Sequence, residues 1–262
     1  MLNLLKPRWI GAGWLHMALA VTGTAQAQGA QPPARPALVA AAANLQPVLA
    51  ELVPLFERAR KGRVTLDIGS SANLVRQIQQ GLPAELFLSA DEDFALRLAD
   101  AGLTPDRGVV YATGRIVLLV PADSKLTLDP QLKALKAGLP LVRKFAIANP
   151  ELAPYGKAAV QALQKLEIWP ALQGKVVLGD NVAQTTQYVS TGAAEAGITA
   201  LSLVLAPELA SKVRYVLIPD ELHAPVRQRM VLLKNAGPAA RAFYEFLQSA
   251  AAKAVLVRFG YV

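Results

Sequence analysis

Four short loops carry the residues with the clearest chemical potential, because each lies where a predicted strand gives way to a predicted helix. They are Ala43-Asn44-Leu45, Gly69-Ser70-Ser71-Ala72-Asn73, Pro154-Tyr155-Gly156 and Gly179-Asp180-Asn181-Val182. The first N–H groups of a helix have no intrahelical acceptor, and the helix dipole makes that end positive. Such ends bind anions without a charged side chain. Two loops lie in each half of the chain, which predicts that the two halves together hold one small oxyanion.

These loops offer neutral donors of two kinds. Asn44 is expected to cap its helix and to donate its side-chain amide to a ligand, and Ser70 and Ser71 offer hydroxyls. Tyr155 and Val182 open their helices, so each offers a backbone N–H. The site that the four loops are predicted to form has no hydrogen-bond acceptor for a proton on the ligand. It is therefore expected to select an anion by size and protonation state. For any single loop the alternative is an ordinary helix cap.

The composition excludes several kinds of catalytic and metal site. The chain has no cysteine, and its two histidines are His16 and His223. A cysteine nucleophile, a haem-attachment motif and a histidine-based zinc site are therefore excluded. No G-x-S-x-G turn is present, and His223, close to Pro225, is interpreted as structural. We predict no catalytic residue, no metal held by side chains and no cofactor, so the chain is not expected to be an enzyme.

The chain is basic, with a formal net charge of +8 at pH 7. The Lys and Arg residues are scattered, and no aromatic residues are interleaved with them, so nucleic acid is not an expected partner. The excess charge instead favours capture of a small anion.

The N-terminal residues have the pattern of an export signal. Lys6 and Arg8 precede an apolar stretch, and Ala25-Gln26-Ala27 fits a cleavage site. We predict a cleaved signal peptide over residues 1–27, a flexible leader over 28–36 and a periplasmic location. The alternative is an N-terminal membrane anchor, but the apolar stretch is shorter than the ~20 residues that a span needs.

Predicted strands and helices alternate from Leu38 onward, which indicates an α/β protein with mainly parallel sheets flanked by helices. Ligands bind at the carboxyl ends of strands in such sheets, where all four loops lie. The chain is predicted to form two lobes joined by crossovers near Gly114 and Pro225. Lobe one comprises residues 37–114 and 225–262, and lobe two comprises residues 115–224.

Two specific runs resemble one known family. The first run is G-S-S…R-Q-I…G-x-P-A-x-x-F-x-S-A-D, over residues 69–91, and the second is N-P-x-x-x-P-Y-G, over residues 149–156. With Ala41–Leu45 and Lys253–Tyr261, these runs resemble the periplasmic molybdate-binding proteins of ABC importers, the ModA family, over Leu38–Val262. The Asn and Pro-Tyr-Gly residues are similar to one branch of that family.

The resemblance implies a two-lobed, venus-flytrap protein that binds molybdate or tungstate and delivers it to a membrane permease. It implies ligand donors at Asn44, Ser71, Tyr155 and Val182. Further candidates are Ala43, Ser70 and Gly156, although relatives can carry threonine at the position of Ala43. We expect a monomer whose lobes close only around the ligand, because donors from the two lobes are expected to meet only across it.

Three alternatives remain open at this point. The same fold could bind sulfate, thiosulfate or phosphate. A protonated phosphate would need a carboxylate to accept its proton in a hydrogen bond, and Asp180 is the one acid in the four loops. A secreted α/β enzyme and an effector-binding sensor domain are the other two.

Overall fold

Strands and helices alternate along the chain as the hydrophobic pattern predicts, and they assemble into two separate sheets. The computed structural model describes residues 35–59 and 62–262. The predicted signal peptide and most of the predicted leader lie outside the described residues. The two sheets, each flanked by helices, form the two-lobed architecture that the sequence predicts.

The first sheet has the strand order β2-β1-β3-β10-β4. Its strands are β1 (Ala37–Ala42), β2 (Val64–Gly69), β3 (Leu86–Leu88), β4 (Val109–Gly114) and β10 (Val226–Leu232). Strand β10 is antiparallel to both of its neighbours, and the other four strands run in one direction.

The second sheet repeats this plan with the order β7-β6-β8-β5-β9. Its strands are β5 (Ile116–Pro121), β6 (Phe145–Ala148), β7 (Val176–Gly179), β8 (Ala196–Ala200) and β9 (Val213–Leu217). Here β5 is the single antiparallel strand. The chain crosses between the sheets twice, from β4 to β5 and from β9 to β10. The antiparallel strands β5 and β10 each begin directly after a crossover, and both crossovers are short.

In the part of the chain that the structure describes, ten α-helices connect and cover these strands. They are α1 (Gln46–Arg58), α2 (Ser71–Gln79), α3 (Glu92–Asp100), α4 (Lys133–Gly138), α5 (Pro154–Lys165), α6 (Trp169–Leu172), α7 (Val182–Ser190), α8 (Leu201–Val204), α9 (Pro238–Leu247) and α10 (Ala250–Arg258). The short helices α6 and α8 were not predicted. A 3₁₀ turn over Ala43–Leu45, also not predicted, links β1 to α1.

Apolar packing holds the two lobes together as well as filling each of them. The largest buried cluster contains Ala42 and Ala43 from the end of β1 together with Tyr155 and Val182 from the second lobe. The second major cluster surrounds Phe56 and Phe243, whose ring centroids are 5.0 Å apart. The strand ends that carry the four loops therefore meet inside a buried, largely apolar region.

Candidate anion-binding site

The four loops converge on one small cavity between the sheets. The lining residues from the first lobe are Ala42, Ala43, Asn44, Gly69, Ser70, Ser71 and Ala90, and those from the second lobe are Ala153, Pro154, Tyr155, Asn181 and Val182. The cavity volume is about 10 Å³, which is about what one water molecule needs, so in this arrangement of the loops it has no room for a sugar, an amino acid or a peptide. Six of the seven residues predicted from the sequence are in this set, and Gly156 is not.

The first lobe contributes the 3₁₀ turn that follows β1. Ala43 and Asn44 open this turn, so their N–H groups have no acceptor within it. Both residues are almost completely buried, at 3% and 0% exposure. The prediction that Asn44 caps its helix is wrong. Leu45 occupies the N-cap position of α1, and no side chain makes a capping hydrogen bond there.

The serine pair at the start of α2 adds hydroxyls to the cavity. The Ser71 hydroxyl oxygen accepts a hydrogen bond of 3.0 Å from the N–H of Ala90, which leaves the hydroxyl proton of Ser71 free to donate. Ser70 is the N-cap residue, yet its side chain makes no capping bond. Its hydroxyl is buried with no partner among the described residues. Buried hydroxyls without partners are costly, so this one points to a ligand or a water in the cavity.

Helix α5 presents the Tyr155 backbone to the cavity. Pro154 occupies the first helical position, where no N–H is needed, and Tyr155 follows with an N–H that has no intrahelical acceptor. Gly156 is not a ligand donor as proposed from the sequence, because its N–H donates to the Ala153 carbonyl at 2.9 Å. A β-carbon on Gly156 would lie 2.0 Å from the Ala148 carbonyl oxygen, so this glycine permits close packing of α5 against β6.

Helix α7 leaves a single donor for the cavity. The Asn181 side chain caps the helix and accepts from the N–H groups of Ala183 and Gln184, both at 3.0 Å. The N–H of Val182 comes first in the helix and remains free. The Val182 carbonyl accepts from the hydroxyls of Thr186 and Thr199 at 3.0 and 3.2 Å, and these bonds fix the direction of its backbone.

The cavity is electrically neutral. None of the residues that line the cavity is Asp, Glu, Lys, Arg or His. Asp180 is exposed and does not line the cavity. The positive ends of helices α2, α5 and α7 therefore supply the favourable potential. Such a site suits an anion that carries no proton, since it offers no carboxylate to accept one.

A buried network of uncharged side chains lies behind the cavity, and sequence reasoning missed it. The Asn44 amide nitrogen donates to Gln228 Oε1 at 3.0 Å and to Tyr261 Oη at 2.7 Å. It is therefore not free to donate to a ligand, contrary to the prediction. The Asn44 carbonyl oxygen accepts from the hydroxyls of Ser202 and Tyr261. Burial raises the pKa of the Tyr261 phenol to about 12, so it keeps its proton at neutral pH.

Four hydrogen bonds between described residues join the lobes directly. Gln228 Nε2 donates to Tyr155 Oη at 2.8 Å, and the Ser202 hydroxyl donates to the Asn44 carbonyl at 2.8 Å. The third runs from the Ala72 N–H to the Leu152 carbonyl at 3.1 Å, and in the fourth the Tyr261 hydroxyl donates to the Ser202 hydroxyl oxygen at 3.1 Å. The two surfaces therefore also complement each other behind the cavity, and the expectation that the lobes close only around the ligand stays a prediction.

The remaining sequence candidates lie elsewhere. His223 is buried beyond the cavity, with Nδ1 2.8 Å from the Ala224 carbonyl oxygen. Within residues 35–59 and 62–262, no group of three His, Asp or Glu side chains is arranged to hold a metal ion. No helix in this part of the chain is both long enough and apolar enough to cross a membrane.

Comparison with known proteins agrees with this geometry. Residues 37–262 match the family model described as bacterial extracellular solute-binding protein. The molybdate-binding protein ModA of Rhodobacter capsulatus is 34% identical over 228 residues, covering 86% of this chain and 87% of that protein. ModA of Azotobacter vinelandii is 34% identical over 226 residues, covering 85% and 88%. The solved structure of the Azotobacter vinelandii periplasmic molybdate-binding protein superposes with a TM-score of 0.78 at 30% identity, covering 86% of this chain and 98% of that chain.

The fold is that of a solute-binding protein with two lobes. The chain belongs to the bacterial extracellular solute-binding protein family, and the resemblance to ModA proteins inferred from its motifs is confirmed.

Proposed function

We propose that this protein captures molybdate, and tungstate equally, between its lobes and delivers it to the permease of an ABC importer. The observation that carries the proposal is the convergence of helix starts from both lobes on one small, uncharged cavity. Helix starts with free N–H groups bind oxyanions through their backbone. The similarity to two molybdate-binding proteins over most of the chain supports molybdate within the class of oxyanions.

The proposed ligand donors are the backbone N–H groups of Asn44, Ser71, Tyr155 and Val182, with the hydroxyls of Ser70 and Ser71. The N–H of Ala43 is a further candidate. All of these groups belong to residues that line the cavity and are at most 3% exposed. In so deeply buried a site each hydrogen bond to a charged oxygen is worth about 1.5–3 kcal/mol. Six such bonds are ample for tight capture from dilute solution.

Selectivity follows from size and from the absence of an acceptor. Sulfate has shorter bonds than molybdate, so donors placed for molybdate would not all reach it, and each unsatisfied buried donor costs about 1–3 kcal/mol. Phosphate carries a proton at neutral pH, and no carboxylate lines the cavity. The cavity also has no charged or histidine side chain that could activate a serine hydroxyl, which favours binding over catalysis.

The wider assignments are also proposals. We place lobe one at residues 37–114 and 225–262 and lobe two at residues 115–224, because the strands of each sheet come from these segments. We propose that residues 1–27 direct export to the periplasm, where the protein acts as a monomer.

The experiment that tests the function is isothermal titration calorimetry of residues 28–262 with molybdate, tungstate, sulfate and phosphate in one buffer. Tight binding of the first two with no heat from the others supports the proposal. Heat from sulfate or phosphate alone would keep the solute-binding role and replace the ligand. Absence of heat from all four would contradict oxyanion binding altogether.

A further inference from the structure

Gln228 is a polar side chain at a position where the sequence pattern demands an apolar one. Strand β10 points Val226, Gln228 and Met230 toward the interior, and Gln228 is 0% exposed. A buried amide costs free energy unless its hydrogen bonds are made. The partners of Gln228 therefore indicate why a glutamine is present.

Those partners connect the two halves of the anion site. Gln228 Oε1 accepts from Asn44 Nδ2 at 3.0 Å and from Tyr111 Oη at 2.9 Å, both within the first lobe. Gln228 Nε2 donates across to Tyr155 Oη, at 2.8 Å, in the second lobe. Asn44 and Tyr155 also line the cavity, one from each lobe, and their backbone N–H groups are among the proposed ligand donors.

We infer that Gln228 is a positioning residue for oxyanion capture. It fixes the turn at Asn44, and when the lobes meet it also fixes the start of α5 through Tyr155. The donors of the two lobes are then held at the correct separation for a single anion. This inference rests on the proposed function, since it assigns Gln228 a part in the same site.

Gly114 provides the space that this contact needs. A β-carbon on Gly114 would lie 2.0 Å from Tyr155 Oη and 2.7 Å from Gln228 Nε2. The φ angle of Gly114 is not in the left-handed region, so its backbone conformation does not require glycine. The close approach of Tyr155 to residue 114 is what requires a glycine there.

The position of the bond predicts which rate constant it controls. The bond between Gln228 and Tyr155 forms only when the lobes are together, so it contributes after the anion has entered. Its loss therefore raises the dissociation rate constant and leaves the association rate constant nearly unchanged. A residue that serves stability alone would change neither.

The decisive comparison is Tyr155→Phe against Tyr111→Phe. Both variants remove one buried hydroxyl that bonds Gln228, but only the first removes a bond between the lobes, and it leaves the Tyr155 N–H in place. For Tyr155→Phe we expect release of radiolabelled molybdate into excess unlabelled molybdate to be about tenfold faster. For Tyr111→Phe we expect a change of less than about threefold. Calorimetric stoichiometry gives the folded fraction of each variant.

Gln228→Met removes the bonds to both lobes and completes the test. If Gln228 acts through Tyr155, adding Tyr155→Phe to Gln228→Met will not speed release further. Equal release rates for Tyr155→Phe and Tyr111→Phe, or full additivity in the double variant, would overturn the inference while the wild-type protein still binds molybdate. Failure of the wild-type protein to bind molybdate would instead overturn the proposed function, and the inference with it.

Discussion

The phenol oxygen of Tyr155 lies so close to the α-carbon of Gly114 that a β-carbon on residue 114 would be 2.0 Å from it. Gly114 ends the last strand of the first lobe before the crossover, and Tyr155 begins a helix of the second lobe. The two lobes therefore make one of their tightest contacts beside the crossover, directly behind the candidate anion site.

Gly114→Ala is expected to hold the lobes apart. Overpacking of this kind costs about 1–3 kcal/mol, so we expect molybdate binding to weaken by about 5–150-fold. Small-angle scattering in the presence of molybdate should show a larger radius of gyration than for the wild type. The control is Gly192→Ala, whose added carbon meets no atom within 4 Å. Its positive φ will lower stability, but its affinity should not change, and an equal loss of affinity in both variants would refute this explanation.

Ser71→Ala is expected to weaken molybdate binding by about 1–2 kcal/mol, because the variant lacks the hydroxyl proton that the bond from Ala90 leaves free. Titration calorimetry measures the change. Val182→Ala is the matched control, since we assign only its backbone N–H to the ligand. Loss of binding in Val182→Ala with none in Ser71→Ala would show that the donors are wrongly assigned.

Asp180→Asn is expected to leave the affinities for molybdate and phosphate unchanged. The carboxylate is exposed and does not line the cavity, so it cannot accept a proton from a bound anion. Competition titrations with both anions test this. A phosphate affinity that disappears in Asp180→Asn would revive the phosphate alternative.

Stability is expected to fall at alkaline pH because of Tyr261. Burial raises the pKa of its phenol from 10.0 to about 12 in the folded protein. Above pH 10 the unfolded chain therefore holds fewer protons than the folded one, and the free energy of unfolding decreases as the pH rises. Each such group contributes a slope of about 1.4 kcal/mol per pH unit. Below pH 10 both states keep the proton, so no slope arises from this group.

Denaturant titrations between pH 9 and 11.5 measure this slope. Tyr261→Phe should reduce it by the share of one proton, even though Tyr111 and Tyr155, whose pKa values burial also raises, continue to contribute. An unchanged slope in Tyr261→Phe would show that Tyr261 ionises normally in the folded state.

Local sequence features predicted most of the fold because the governing interactions are local. The strand Phe145–Ala148 and the helix Val182–Ser190 are examples. The strand is a short apolar run, and the helix follows Asn181, whose side chain caps it, so both signals lie within a few residues. The cavity loops were predicted for the same reason, since a helix start is visible in the chain itself.

The network behind the cavity was not predicted because its partners are distant in sequence. No local pattern shows that Gln228 meets Asn44 and Tyr155, which lie 184 and 73 residues away. One signal was available, because a glutamine interrupts the apolar inward face of β10. The amide of Asn44 was predicted to be free for the ligand for the same reason. Its side-chain partners, Gln228 and Tyr261, are far away in sequence and cannot be inferred from neighbouring residues.

The separation of Asn44 from Tyr261, which is 217 residues, also has a consequence for how the molecule folds. Contacts between residues so far apart form late, because closing a long loop costs chain entropy before any contact repays it. The binding cavity should therefore mature after the sheets, as the last cooperative step of refolding. A kinetic intermediate with native secondary structure but no affinity for the ligand is the expected sign of this order of events.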